Sequence, residues 1–117
     1  MTIFHIAAGK GNKELIKYFI DKGLNPDQPD HFRKTPLMVA VRNFQNDVFF
    51  LIFHQLARYF KRDYSYNTLL HYAAAYGNIE IVKFFLEIGI SQTMNRKGLY
   101  PFEIAILKGH YGCAKLL

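Results

Sequence analysis

Apolar side chains in this chain fall three and four positions apart on one side of successive short segments, so the pattern predicts helices. It is clearest from Thr68 to Gly89. Leu69, Leu70, Tyr72, Ala73 and Ala74 share a helical stripe behind Thr68, whose hydroxyl is an N-cap acceptor. Gly77 is placed to stop that short helix in the left-handed conformation, and Asn78 and Glu80 offer acceptors for the start of a second. The second carries Ile79, Ile81, Val82, Phe85 and Leu86 on one side, with Glu80, Lys83 and Glu87 outward, until Gly89. Ala73, Ala74 and Ala75 are small, so the first helix is expected to pack closely against helices on both sides.

This helix pair recurs. Thr2, Thr35, Thr68 and Tyr100 open equivalent segments at spacings of 33, 33 and 32 residues. Asp30, Asp63 and Asn95 each stand five positions before a new segment, and Gly11, Gly77 and Gly109 mark the middle of three of them. Thr35-Pro36-Leu37, Thr68-Leu69-Leu70-His71 and Thr2-Ile3-Phe4-His5, the pairs Ala7-Ala8 and Ala73-Ala74, and the closing glycines Gly23 and Gly89 complete the pattern. A period near 33 with such an opening resembles the ankyrin-repeat family. The resemblance implies an all-α ankyrin-repeat solenoid of stacked helix-turn-helix units linked by β-hairpin-like fingers, about three and a half repeats in one domain over 1–117. The repeats fall at about 2–34, 35–67, 68–99 and a truncated 100–117.

Departures from the pattern carry their own expectations. Arg33 stands where the family uses glycine in the finger, which predicts a distorted turn. Phe44 replaces the mid-unit glycine of the second repeat and Leu56 its closing glycine, so the apolar helix from Asp47 is expected to run past Leu56 toward Arg62. Phe50 occupies the place of Lys17 and Lys83, which predicts either a folded-down ring or an exposed apolar patch. The fourth repeat loses its threonine and has Glu103 in the place of His71. Both ends of the chain are apolar, which predicts that a longer polypeptide or a neighbouring subunit covers them.

At 117 residues and 50% hydrophobic the chain is long enough for one core, and no apolar run approaches a membrane span of about 20 residues. A single cysteine, Cys113, excludes an internal disulfide and fits a reducing, intracellular setting, cytoplasmic by default; no secretory leader is expected before the first repeat. The formal charge of +6 directs attention to acidic partners.

Chemistry that would make an enzyme is not apparent. His5 and His71 occupy the place where the resemblance implies a bond to the capping threonine and to a neighbouring carbonyl, and neither is spaced to a nucleophile or orienting acid. His31, His54, His110 and Cys113 show no metal-ligand spacing, and no Gly-rich phosphate loop is present, so no cofactor is expected. What remains is surface. The resemblance implies that the finger tips and the two positions just before the mid-unit glycine place of each first helix face a protein partner: His31, Phe32 and Lys34; Tyr64, Ser65 and Asn67; Arg96, Lys97 and Leu99; with Gly9 and Lys10, Arg42 and Asn43, Ala75 and Tyr76, Leu107 and Lys108. This set is basic and aromatic, which predicts a non-catalytic interaction module for an acidic protein. A second expectation is a structural subunit of a large assembly, with Phe50 and the Arg58-Tyr59-Phe60-Lys61 stretch covered by neighbours. RNA binding is the weaker reading, because the charges are spread over separate fingers.

Overall fold

The computed structural model of the chain describes residues 1–56 and 61–117, and among them there are eight helices and no strand. They are α1 Ile3–Lys10, α2 Lys13–Asp21, α3 Pro36–Arg42, α4 Asn46–Phe53, α5 Leu69–Tyr76, α6 Ile79–Glu87, α7 Pro101–Leu107 and α8 Tyr111–Leu116. Two compact units divide them, Met1–Lys61 and Arg62–Leu117. In the first, α1 lies against α3 and each is backed by its own second helix, α2 or α4; in the second, α5 lies against α7, backed by α6 and α8. The close approach of the inner helices follows from small side chains, since Ala7, Ala8, Ala73, Ala74 and Ala105 are all buried. Phe4, Ile16, Leu37, Val48, Phe49 and Ile52 fill the first unit, and Leu70, Ile81, Val82 and Phe85 the second. Burial of each such side chain contributes roughly 1.5–3 kcal/mol.

One reciprocal device starts three of the inner helices, and half of it starts the fourth at Tyr100. Thr2, Thr35 and Thr68 accept the backbone N–H of the residue three positions on, and that residue's side chain accepts the N–H of the cap. The acceptors differ: His5 Nδ1 at 3.1 Å, Met38 Sδ at 3.4 Å, His71 Nδ1 at 3.0 Å and Glu103 Oε1 at 3.1 Å from the N–H of Thr2, Thr35, Thr68 and Tyr100. Because Nδ1 receives a hydrogen, each histidine carries its proton on Nε2 and donates it to a finger carbonyl, Lys34 O at 2.6 Å and Leu99 O at 2.9 Å. The buried histidines are therefore neutral struts between repeat and finger.

Four expectations are corrected. The finger at Arg33 is not distorted: Arg33 adopts a left-handed φ of 60°, and the N–H of Asp30 reaches Lys34 O at 2.9 Å while that of Arg33 reaches Asp30 O at 3.0 Å. α4 does not run past Leu56 but ends at Phe53, where Gln55 N–H bonds Ile52 O and Leu56 N–H bonds Phe53 O, tightening the last turn. Asn78 makes no side-chain cap to α6, although Asn12 does cap α2 through Leu15 N–H at 3.1 Å. Ile79 and Leu86 lie exposed, so the buried stripe of α6 narrows to Ile81, Val82 and Phe85.

Candidate protein-interaction site

Each finger is built on one Asp or Asn. Asp30 Oδ1 accepts the N–H groups of Phe32 and Lys34, both at 2.9 Å; Asn95 Oδ1 accepts those of Lys97 and Leu99 at 3.0 and 3.1 Å; Asp63 Oδ1 accepts that of Asn67 at 2.9 Å. The remaining Asp63 oxygen takes Asn67 Nδ2 and, at 2.6 Å, the hydroxyl of Tyr72. The carboxylates that border the predicted face are thus turned into the backbone. Burial alone would raise the pKa of Asp30, but the N–H groups of Lys34 and Phe32, helped by the positive N-terminus of the chain, outweigh it and lower the pKa of the carboxyl from its ordinary value. Glu103 is spent in the same manner on the N–H of Tyr100.

In the first unit the structure brings His31, Phe32, Lys34 and Arg42 around one pocket of about 240 Å³, with Met1, Asp30 and Val39 completing its wall. Phe32 is 64% exposed and Lys34 Nζ stands 5.8 Å from its ring centroid. Arg42 is half-buried at the end of α3, and Asn43 is held aside by a 3.3 Å bond from Nδ2 to Gly9 O. Gly9 lies close under that bond, and Lys10 is exposed beside it.

In the second unit two fingers are joined. Arg96 donates its backbone N–H to Ser65 O at 3.0 Å and its Nε–H to Tyr64 O, and Asn95 Nδ2 donates to Asn67 Oδ1 at 2.9 Å. Tyr64, Ser65, Arg96 and Lys97 stay exposed on the joined pair. Asn67 has both ends of its amide engaged by Asp63 and Asn95, so it braces the fingers, and half-buried Leu99 does so through its carbonyl. Exposed Tyr76 stacks on Tyr72 at 6.3 Å, Ala75 beside it is half-buried, and Leu107 and Lys108 stand exposed at the end of α7. Phe50 is half-buried, edge-on to Phe49 at 5.2 Å and stacked on His54 at 6.3 Å, so its ring presents only part of its surface. Arg58, Tyr59 and Phe60 lie outside the described residues, whereas Lys61 is bound to Asp27 at 2.8 Å.

Two residues that the sequence reading passed over belong here. Arg62 lies 3.9 Å from the ring centroid of Tyr66 and donates to Tyr66 O, Met94 O and Thr93 Oγ1 at 3.1, 3.1 and 2.7 Å. Tyr66 occupies a turn position with φ of 64°, and the alternation in Arg62-Asp63-Tyr64-Ser65-Tyr66 is the signal in the sequence that points to it.

The ankyrin-repeat model, described as three copies of the repeat, matches residues 1–63 and 48–117. The chain belongs to the ankyrin-repeat family. The family is generally non-catalytic and works as a protein–protein interaction module. The chain is 37% identical over 114 residues to the poly(ADP-ribose) polymerase tankyrase of Caenorhabditis elegans, covering 96% of this chain and 5% of that protein. It is 30% identical over 115 residues to a transient receptor potential cation channel subfamily A member 1 homolog of the same organism, covering 97% and 9%. A probable 26S proteasome regulatory subunit p28 of Saccharomyces cerevisiae is 29% identical over 120 residues, covering 99% and 53%. The chain therefore spans from a twentieth to about half of these relatives. Among the described residues no helix is long and apolar enough to cross a membrane.

Proposed function

We propose that this ankyrin-repeat chain is a non-catalytic module that binds an acidic protein segment through its finger tips and the ends of its inner helices. One observation carries the reading. The carboxylates beside these positions are committed to backbone N–H groups, while Lys34, Arg42, Arg96, Lys97 and Lys108 form no ion pair among the described residues. Unneutralised cations next to exposed Phe32 and Tyr64 favour a negatively charged partner, by steering its approach and by contact. Fingers already fixed by hydrogen bonds lose little freedom on binding.

Selection of random displayed peptides on the intact chain tests this. Enriched sequences rich in Asp and Glu, whose binding weakens severalfold when Arg96→Glu and Lys97→Glu are combined, are the expected result. Basic or neutral consensus sequences, or none, would contradict it.

A second reading, a structural subunit of a large assembly, has one observation in its favour. Phe102 is 38% exposed where its counterparts Phe4, Leu37 and Leu70 are buried, and Ile106, Leu107 and Tyr111 are exposed near it. Concentration-dependent self-association or aggregation in sedimentation, relieved by Phe102→Ser with Ile106→Ser, would favour this reading over the first.

A further inference from the structure

The pocket of the first unit holds more information than its charge. At about 240 Å³ it falls below the roughly 300–1,000 Å³ typical of small-molecule sites, which leaves room for about one large side chain. Its apolar wall is Met1, Phe32 and Val39, and its basic rim is Lys34 and Arg42. Asp30 lines it too, but its Oδ1 is committed to the finger, so neither rim cation is paired with it. The finger and α3 are held in fixed relation, because His5 in α1 ties to Lys34 O at 2.6 Å while α1 packs along α3.

From this we infer that the pocket receives a single apolar side chain of a partner protein, with an acidic residue directly beside it in the partner's sequence. The apolar group enters against Phe32 and Val39 and the carboxylate meets Arg42 and Lys34, which form no ion pair among the described residues. A free metabolite is disfavoured by the size, and a nucleic acid by the apolar wall. The inference rests on the proposed binding of acidic protein segments, and it adds a sequence requirement and a location in the first unit.

The test uses the whole chain and short fluorescent peptides of Gly and Ser carrying a central Glu-Leu-Glu. Wild type is expected to bind this peptide at least about tenfold more tightly than one with Ser in place of Leu, or with Lys in place of both Glu. Phe32→Ala, at an exposed position that leaves the fold alone, is expected to abolish the preference for Leu over Ser, and Arg42→Glu the preference for Glu over Lys. Arg96→Glu in the second unit is expected to change affinity less than twofold. Equal binding of the Leu and Ser peptides, or no binding of any, would overturn the inference. Acidic binding that responds to Arg96→Glu and not to Phe32→Ala or Arg42→Glu would overturn it too, while leaving the broader reading intact.

Discussion

Three residues bear the clearest marks of a fold that overrides local preference. Arg33, Phe44 and Tyr66 have φ of 60°, 58° and 64°, a region that costs a side-chain-bearing residue about 1–2 kcal/mol. At Phe44 the cause is visible, since Gln45 N–H bonds Ala40 O at 2.9 Å as Asn12 bonds Ala7 O and Asn78 bonds Ala73 O. That six-to-one closure needs a left-handed residue inside it, whatever its type. Phe44→Gly is therefore expected to stabilise the chain by about 0.5–1 kcal/mol in urea unfolding. Gly77→Ala should destabilise it by more than about 1 kcal/mol, as the added Cβ would also lie 2.6 Å from His110 Nδ1. His71 gives a pH test. Burial lowers its pKa below 6.5, aided by the charge of Arg62 and opposed by Leu99 O and Asp63. The neutral folded form then binds fewer protons than the unfolded chain, so this contribution is full above 6.5 and declines as pH falls below it. His71→Met, which copies Met38, should flatten that decline in thermal melts.

At the scale of elements, helix boundaries and finger anchors were legible because each depends on residues within one turn. Thr2, Thr35, Thr68, Asp30, Asp63 and Asn95 all do in the structure what their type and spacing suggest. The end of α4 was not legible, since the tightening bonds at Gln55 and Leu56 do not depend on glycine. Nor was the pocket, whose wall joins residues 1, 30–32, 34, 39 and 42 through tertiary packing. Asn95 allows a direct check of the finger design. Asn95→Ala removes acceptors for the N–H groups of Lys97 and Leu99 and the link to Asn67. We expect a loss of about 2–3 kcal/mol and faster hydrogen exchange at 97 and 99, with α5 amides unchanged. Equal exchange in both proteins would mean that the finger closes without its anchor.

For the whole molecule, the proposed function divides between charge and the apolar contacts of each unit. Within each unit the repeats fix side chains at set spacing, Asp30, Asp63 and Asn95 hold the fingers, and on the proposed reading surface cations are left for a partner. Affinity for an acidic peptide should therefore fall with added salt, since exposed charges are screened over about 8–10 Å at physiological ionic strength. It should not vanish, because apolar contacts at Phe32 and Tyr64 are insensitive to screening. The most direct measurement is an amide chemical-shift titration of the intact chain with an acidic peptide obtained by selection. Our account predicts shifts at His31–Lys34, Arg42, Asn43, Tyr64–Asn67 and Arg96–Leu99, and none at Lys17, Lys83 or Glu87. Shifts centred on Lys17, Lys83 and Glu87, with the fingers silent, would contradict it.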